Sequence, residues 1–410
     1  MINLELPKNL ENIANTAKLV ATGMFRPISR KYDSKEHAYP KELDQLAKLM
    51  AANRSGGAAG GGAPKADKPK ATAADEGAAV QDTKNGSNMV SVASMIEMCW
   101  GDVGLALTIP GQGLGNAAIS AVATEDQKAR FGKAWASMAI TEPEAGSDSA
   151  AIRTTAKLDG DEWVINGEKI FVTAGERCNA VVVWATIDPD AGRAAIKSFV
   201  VEKGTEGMEV VGLEKKLGIR ASDTATIRFT NCRIPKDNIL GSPEIKTKEG
   251  FGGVMKTFDN TRPMVAAMSL GCARAALDLT REILAKEGVA VDYENTGSRH
   301  TISAAQRELY RMEGELETAR LLTMKSAWMA DNGIPNSMEA SMAKAKAGRV
   351  GNDITLSCVA LCGGLGYGET ELLEKWARDS KILDIFEGTQ QIQMLIVARR
   401  LLNKTSAELK

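Results

Sequence analysis

Ala139-Ile-Thr-Glu-Pro-Glu-Ala-Gly-Ser-Asp148 lies where the chain changes character. Upstream, from Met89 to about Trp135, apolar residues recur at helical spacing. Downstream, from about Ser137 to Leu240, short β-branched runs alternate with turn dipeptides. The runs are Trp163-Val-Ile, Ile170-Phe-Val-Thr, Ala180 to Thr186, Ser198-Phe-Val-Val and Thr224 to Thr230, with turns signalled at Asp159-Gly and Asn166-Gly. The decapeptide itself offers two hydroxyls, Thr141 and Ser147, and Gly146, where backbone amides can approach a ligand closely. Taken alone it reads as an ordinary tight turn.

Beyond the β block the helical pattern returns over 255–287, 302–331, 336–361 and 371–404. At the other end residues 1–50 read as helix, with Leu43, Leu46 and Met50 at helical spacing after Pro40. From Ala51 to Ala79 no Leu, Ile, Val, Met or aromatic residue occurs, and such a stretch buries too little apolar surface to offset its ordering entropy. We therefore expect a flexible insert over 51–88. The expected organisation is an α+β chain: a helical N-terminal domain (1–136), a middle β domain (137–243) and a C-terminal helical bundle (244–410).

Composition narrows the function classes. The formal net charge is -1 with 51 basic and 52 acidic residues spread along the chain, which leaves no electrostatic footprint for nucleic acid or an anionic membrane. No apolar run approaches the ~20 residues that span a bilayer. The first residues carry neither a signal nor a transit pattern, so the expected location is the cytoplasm. Cys99, Cys178, Cys232, Cys272, Cys358 and Cys362 are scattered in apolar stretches and read as buried reduced thiols. With only His37 and His300 present, His-based triads and His-rich metal sites are disfavoured, and no metal is expected. Carboxylates, hydroxyls, backbone amides or a cofactor must carry any chemistry.

The decapeptide closely resembles the first signature of the acyl-CoA dehydrogenase family. Asn166-Gly-Glu-Lys-Ile-Phe-Val-Thr-Ala-Gly175 follows at the family's spacing, and Phe258-Asp-Asn-Thr-Arg-Pro-Met-Val-Ala-Ala267 is similar to its substrate-contacting helix. Ile385-Phe-Glu-Gly-Thr-Gln-Gln-Ile-Gln393 resembles its base motif, and Lys215 to Gly241 fits its β-domain exit. The resemblance covers nearly the whole chain apart from 51–88. It implies a helical N-terminal domain, a middle β-barrel and a C-terminal four-helix bundle. It also implies FAD, held at Met138, Ile140, Thr141, Gly146, Ser147, Phe171, Val172, Thr173, Thr389 and Gln391. Acyl-CoA contacts are implied at Ser147, Asp259, Arg262 and Gly388, and the catalytic base at Glu387. The family's alternative base position holds Thr261, which cannot serve. The implied reaction removes a proton from Cα and a hydride from Cβ of an acyl-CoA thioester, giving the 2-enoyl-CoA, with electrons passed to an electron-transfer flavoprotein. Enolate charge would be met by the flavin ribityl 2′-hydroxyl and the backbone N–H of Glu387.

Four departures from the family pattern stand out. Met138 replaces an aromatic or polar residue, the stretch from Phe131 to Ala139 is short, and the insert replaces a Pro-Glu-x-x-Gly-Gly turn. The fourth concerns what a subunit lends its neighbour. Glu287 to His300 lacks the family's Arg-x-x-Phe-Gly turn, no phenylalanine lies between Phe258 and Phe386, and Ala360 replaces the Gln ahead of Gly363-Gly364. These losses point to a second, different acyl-CoA dehydrogenase-like subunit in an α2β2 assembly. The open alternatives are a homo-oligomer with loosened flavin binding, an acyl-CoA oxidase, and a non-catalytic acyl-CoA-binding or assembly subunit.

Overall fold

The computed structural model describes residues 7–55, 85–111, 113–245, 252–291, 300–405 and 408, without the side chains of 51–55 and 252–260. Among the described residues, seven α-helices precede the sheet: α1 (Lys8–Val20), α2 (Arg26–Ser34), α3 (Leu43–Ser55), α4 (Ser87–Gly101), α5 (Val103–Leu107), α6 (Leu114–Val122) and α7 (Glu125–Phe131), with a π-helical stretch, Ala21–Phe25, joining α1 to α2. Helix α3 thus runs on to Ser55 and α4 begins at Ser87, while 56–84, the interior of the expected insert, lies outside the described residues. Five helices follow the sheet: α8 (Gly252–Lys286), α9 (Ala304–Asp331), α10 (Ser337–Tyr367), α11 (Leu373–Ile382) and α12 (Gln390–Leu402).

The strands are β1 (Ala136–Ala139), β2 (Thr155–Asp159), β3 (Glu162–Thr173), β4 (Ala180–Thr186), β5 (Ile196–Glu202), β6 (Met208–Leu213) and β7 (Thr224–Pro235). They form one curled half-barrel sheet in the order β1-β4-β2-β3-β7-β6, with β5 paired to the other edge of β4. All seven residues of β4 are buried. Because neighbouring side chains of a strand point to opposite faces, Val181, Val183 and Ala185 enter one core while Ala180, Val182 and Trp184 enter another. This explains the unbroken apolar run. Two of the runs seen in sequence, 163–165 and 170–173, prove to be one long strand, β3, bent by register shifts between Ile165 and Gly167 and between Lys169 and Val172.

The helical core joins α1, α4, α8, α9, α10 and α11 around Phe25, Leu105, Leu309, Met312 and Trp376. One expectation is corrected here. The pattern over 371–404 is not a single helix: α11 ends at Ile382, α12 starts at Gln390, and a turn intervenes. Glu387 and Gly388 take positive φ values of 55° and 91°, which no right-handed helix accommodates. Thr389 then opens α12 by accepting a hydrogen bond from Ile392 N at 3.4 Å. Helix α10 likewise continues past 361 to Tyr367, kinked at Gly363. No helix among the described residues is long and apolar enough to cross a membrane.

Candidate active site

The site residues expected from the sequence fall in two groups, one on the sheet and one on the helical bundle. On the sheet, the decapeptide folds back on itself through reciprocal Glu142–Ala145 backbone hydrogen bonds of 3.1 Å. Ile170 N donates to Thr141 O at 2.9 Å, and Ser137 Oγ donates to Thr173 O at 2.8 Å. The two motifs are therefore one physical unit.

Its fastening is buried. Lys169 Nζ, fully buried, lies 2.7 Å from Glu142 Oε1 and also donates to Ile140 O at 3.1 Å. Glu142 further accepts from Arg153 N, Thr154 N and Thr154 Oγ1 at 2.6, 2.9 and 2.6 Å. Burial works against both charges. At Lys169 it prevails, lowering the ammonium to about 8 in spite of Glu142. At Glu142 the Lys169 charge and the hydrogen bonds outweigh burial, and the carboxyl is held low. Neither residue was singled out from sequence, although each stands inside a motif.

Above this unit the sheet offers open surface. The bulge in β3 turns Phe171 outward at φ 57°, leaving its side chain 59% exposed, while the adjoining Val172 is buried and Thr173 half-buried. Gly146 and Ser147 are exposed, and a Cβ at Gly146 would meet no atom within 4 Å. Met138 and Ile140 are half-buried on and just beyond β1. An uncovered aromatic beside an open glycine turn and a row of hydroxyls suits a flat, hydrogen-bonding ring system such as FAD.

The second group converges on the α11–α12 turn. Glu387 accepts a hydrogen bond from the side chain of Thr261 on α8 and faces the charges of Arg262 on α8 and Lys344 on α10. Its residue surface is half-buried, but carboxylate Oε2 is closed to solvent and has no hydrogen-bond partner. Burial raises the Glu387 pKa, opposed by Thr261, Arg262 and Lys344 in that order. Non-glycine residues at positive φ cost ~1–3 kcal/mol and persist where surrounding contacts enforce them. Here Gln393, fully buried, donates Nε2 to Glu387 O at 3.1 Å and to Gly388 O at 3.2 Å. A Cβ at Gly388 would stand 2.5 Å from that same Nε2, so the position must be glycine. Among the described residues nothing accepts the Glu387 backbone N–H.

Arg262 is buried, with Nη1 3.5 Å from Ser341 Oγ. Gln391 is exposed at the start of α12. Asp259 lies on α8 with its side chain outside the described residues. The structure thus gathers Glu387, Gly388 and Arg262 in one cluster, and Met138, Ile140, Thr141, Phe171, Val172 and Thr173 in another. The link between clusters is the 214–223 segment: Asp223 O accepts from Ala174 N at 3.0 Å, and Ile219 N donates to Asp379 of α11 at 2.5 Å. Among the described residues no cluster of His, Cys, Asp and Glu could hold a metal ion.

Known proteins resemble the chain in sequence and fold. The family model for the acyl-CoA dehydrogenase middle domain matches residues 137–232, and that for the acyl-CoA dehydrogenase C-terminal domain matches residues 248–402. The mitochondrial short-chain specific acyl-CoA dehydrogenase of Bos taurus is 33% identical, over 98% of this chain and 92% of its own. The structure of butyryl-CoA dehydrogenase from Megasphaera elsdenii superposes with a TM-score of 0.82 at 27% identity, covering 98% of this chain and 100% of that one. A chain from a study of the electron transferring flavoprotein of Acidaminococcus fermentans superposes at 0.83 with 29% identity, over 98% and 100% of the two chains. Acyl-CoA dehydrogenases are FAD-dependent flavoproteins. The chain belongs to the acyl-CoA dehydrogenase family and is an oxidoreductase acting on acyl-CoA.

Proposed function

We propose that this chain converts a short saturated acyl-CoA to the 2-enoyl-CoA with Glu387 as the base. The observation that carries the reading is the Glu387 carboxylate, with Oε2 buried and unpartnered, on a turn whose N–H finds no acceptor among the described residues. An α-proton beside a thioester is very weakly acidic, so removing it needs a carboxylate of raised basicity and a donor for the developing enolate oxygen. Burial supplies the first, and the Glu387 N–H supplies the second. Arg262 beside the carboxylate keeps it ionised enough to accept the proton. Bound FAD supplies the acceptor for the Cβ hydride. Thr141, Phe171, Thr173 and the Gly146-Ser147 turn would hold its ring, with Met138, Ile140 and Val172 beneath, and Thr389 and Gln391 facing it from α12. Substrate would meet Ser147, Asp259, Arg262 and Gly388. The short-chain reading is supported by the short-chain specific and butyryl-CoA relatives.

Electrons would leave to an electron-transfer flavoprotein, a reading supported by the Acidaminococcus likeness. Ala360 is exposed on α10, as are Leu356, Leu365 and Tyr367, a surface suited to a neighbouring subunit. With the lending turn and the Gln both missing, that neighbour would be a different, family-like chain in an α2β2 assembly. Purified protein, alone and with a candidate partner, should be assayed with butyryl-CoA, FAD and an electron-accepting dye. The expected product is the 2-enoyl thioester, two mass units lighter, with flavin retained only in the mixed assembly. Tight flavin at about one per chain in a homotetramer would overturn the assembly reading, and no enoyl product in any assembly would overturn the activity. Rapid turnover with oxygen alone would favour an oxidase.

A further inference from the structure

Helix α10 carries two lysines two positions apart that meet different fates. Lys346 is half-buried at the surface and pairs with Glu315. Lys344 is 1% exposed and donates Nζ to the Gly388 carbonyl at 2.8 Å, its one hydrogen-bond acceptor among the described residues. The charged groups facing it are Asp384 and Glu387 from the α11–α12 turn and Arg262 from α8. A buried ammonium with a single carbonyl acceptor, near a second buried cation, is an expensive choice for a helix that an apolar residue would stabilise better. Burial accordingly lowers Lys344 to about 8. What it does touch is the turn bearing the base. The Gly388 carbonyl is gripped from α10 by Lys344 and from α12 by Gln393, which also holds the Glu387 carbonyl.

We propose that Lys344 is a positioning residue for the Glu387 base: its ammonium clamps the turn that presents the carboxylate and the N–H, and its charge keeps that carboxylate ionised. The proposal rests on the reading of Glu387 as the base. It concerns how the base is held, and no reacting atom touches Lys344. The sign follows from the charges. The neighbouring cation lowers the Glu387 pKa, so removing it should move the acid limb of kcat to higher pH. Asp384 supports the protonated lysine, so removing Asp384 should make Lys344 lose its proton at lower pH.

The test is the pH profile of butyryl-CoA turnover by the flavin-loaded assembly, with melting temperature and flavin content measured on each variant. Lys344→Met should lower kcat about 10- to 100-fold with KM within about threefold, and should shift the acid limb upward. Gln393→Met, which loosens the same turn without altering charge, should lower kcat and leave that limb in place. A folded Lys344→Met protein with kcat within twofold of wild type and an unmoved limb overturns the proposal. Should Lys344→Met not fold, Asp384→Asn decides. The wild-type alkaline limb near 8 should move to lower pH in Asp384→Asn, and an unmoved limb overturns the proposal. Glu387→Gln run alongside separates the two readings. If it retains turnover, the base assignment fails; if it is inactive while Lys344→Met behaves as wild type, only the role of Lys344 fails.

Discussion

Replacing Lys375 with Met should destabilise the fold more than any single change at the surface. Lys375 Nζ lies 2.7 Å from Asp102 Oδ2 and 2.5 Å from Asp379 Oδ2, and all three side chains are buried. At an effective dielectric of about 20, each contact is worth roughly 6 kcal/mol before desolvation, most of which burial cancels. Removing one partner exposes that cancelled cost, typically ~3–5 kcal/mol. The upper end is expected here, because two carboxylates lose their shared cation at once. Asp102 keeps Ser29 Oγ and Leu105 N as donors, and Asp379 keeps Ile219 N. Even with Lys375 present, burial and the Asp102 charge raise the Asp379 pKa, and the variant should push it further. A carboxyl raised in the folded state binds more protons than the unfolded chain. Its stability contribution is therefore present at low pH and lost as pH rises above the ordinary carboxyl range. Urea unfolding of Lys375→Met, followed by intrinsic tryptophan fluorescence, should show a loss of ~5 kcal/mol near pH 7 that shrinks toward pH 5. Adding Asp379→Asn to Lys375→Met should recover part of that loss, since one uncompensated charge disappears. A loss under ~1 kcal/mol, or one that grows as pH falls, would show that Lys375 does not hold the two buried carboxylates in this way.

Four further outcomes follow from the same geometry. Lys169→Met should leave Glu142 with three donors and no cation, costing ~3 kcal/mol and exposing the 141–153 segment to limited proteolysis; unchanged protection would argue against the fastening. Phe171→Ala should change melting temperature little, since the ring is 59% exposed, yet flavin should be lost on gel filtration; retained flavin would remove Phe171 from that site. The thiols should resist alkylation in the native state at pH 8, because burial raises Cys232 to about 11 and Cys358 to about 12; rapid labelling of either would contradict the packing. Gly388→Ala should lower activity at least tenfold by forcing Gln393 off the turn, and wild-type kcat would show that the clamp is dispensable.

The strong strands were legible because β4 and β7 are rich in β-branched residues and end at turn signals. Strands β1, β2 and β6 escaped because Ala136-Ser-Met-Ala, Thr155-Ala-Lys-Leu-Asp and Met208-Glu-Val-Val-Gly-Leu carry little propensity of their own and form by pairing with stronger neighbours. The break between α11 and α12 was masked by continuous apolar periodicity, although Gly388 followed by the capping Thr389 was a start signal in plain view. Lys344 was invisible for another reason. In Ala343-Lys-Ala-Lys-Ala347 nothing local says which lysine turns inward; the facing turn decides. The Asp102–Lys375 contact joins residues more than two hundred positions apart, a distance at which patterning is silent.

Whether Glu387 is the base is decided by Glu387→Gln in the flavin-loaded assembly. Gln preserves size and cannot accept the proton, so butyryl-CoA turnover should fall by at least ~10²–10⁴-fold while flavin content and melting temperature stay near wild type. Deuterium uptake from heavy water at the thioester α-carbon, read by mass spectrometry, should vanish with it. Near-normal turnover, or undiminished α-exchange in a folded Glu387→Gln protein, would show that another group removes the α-proton.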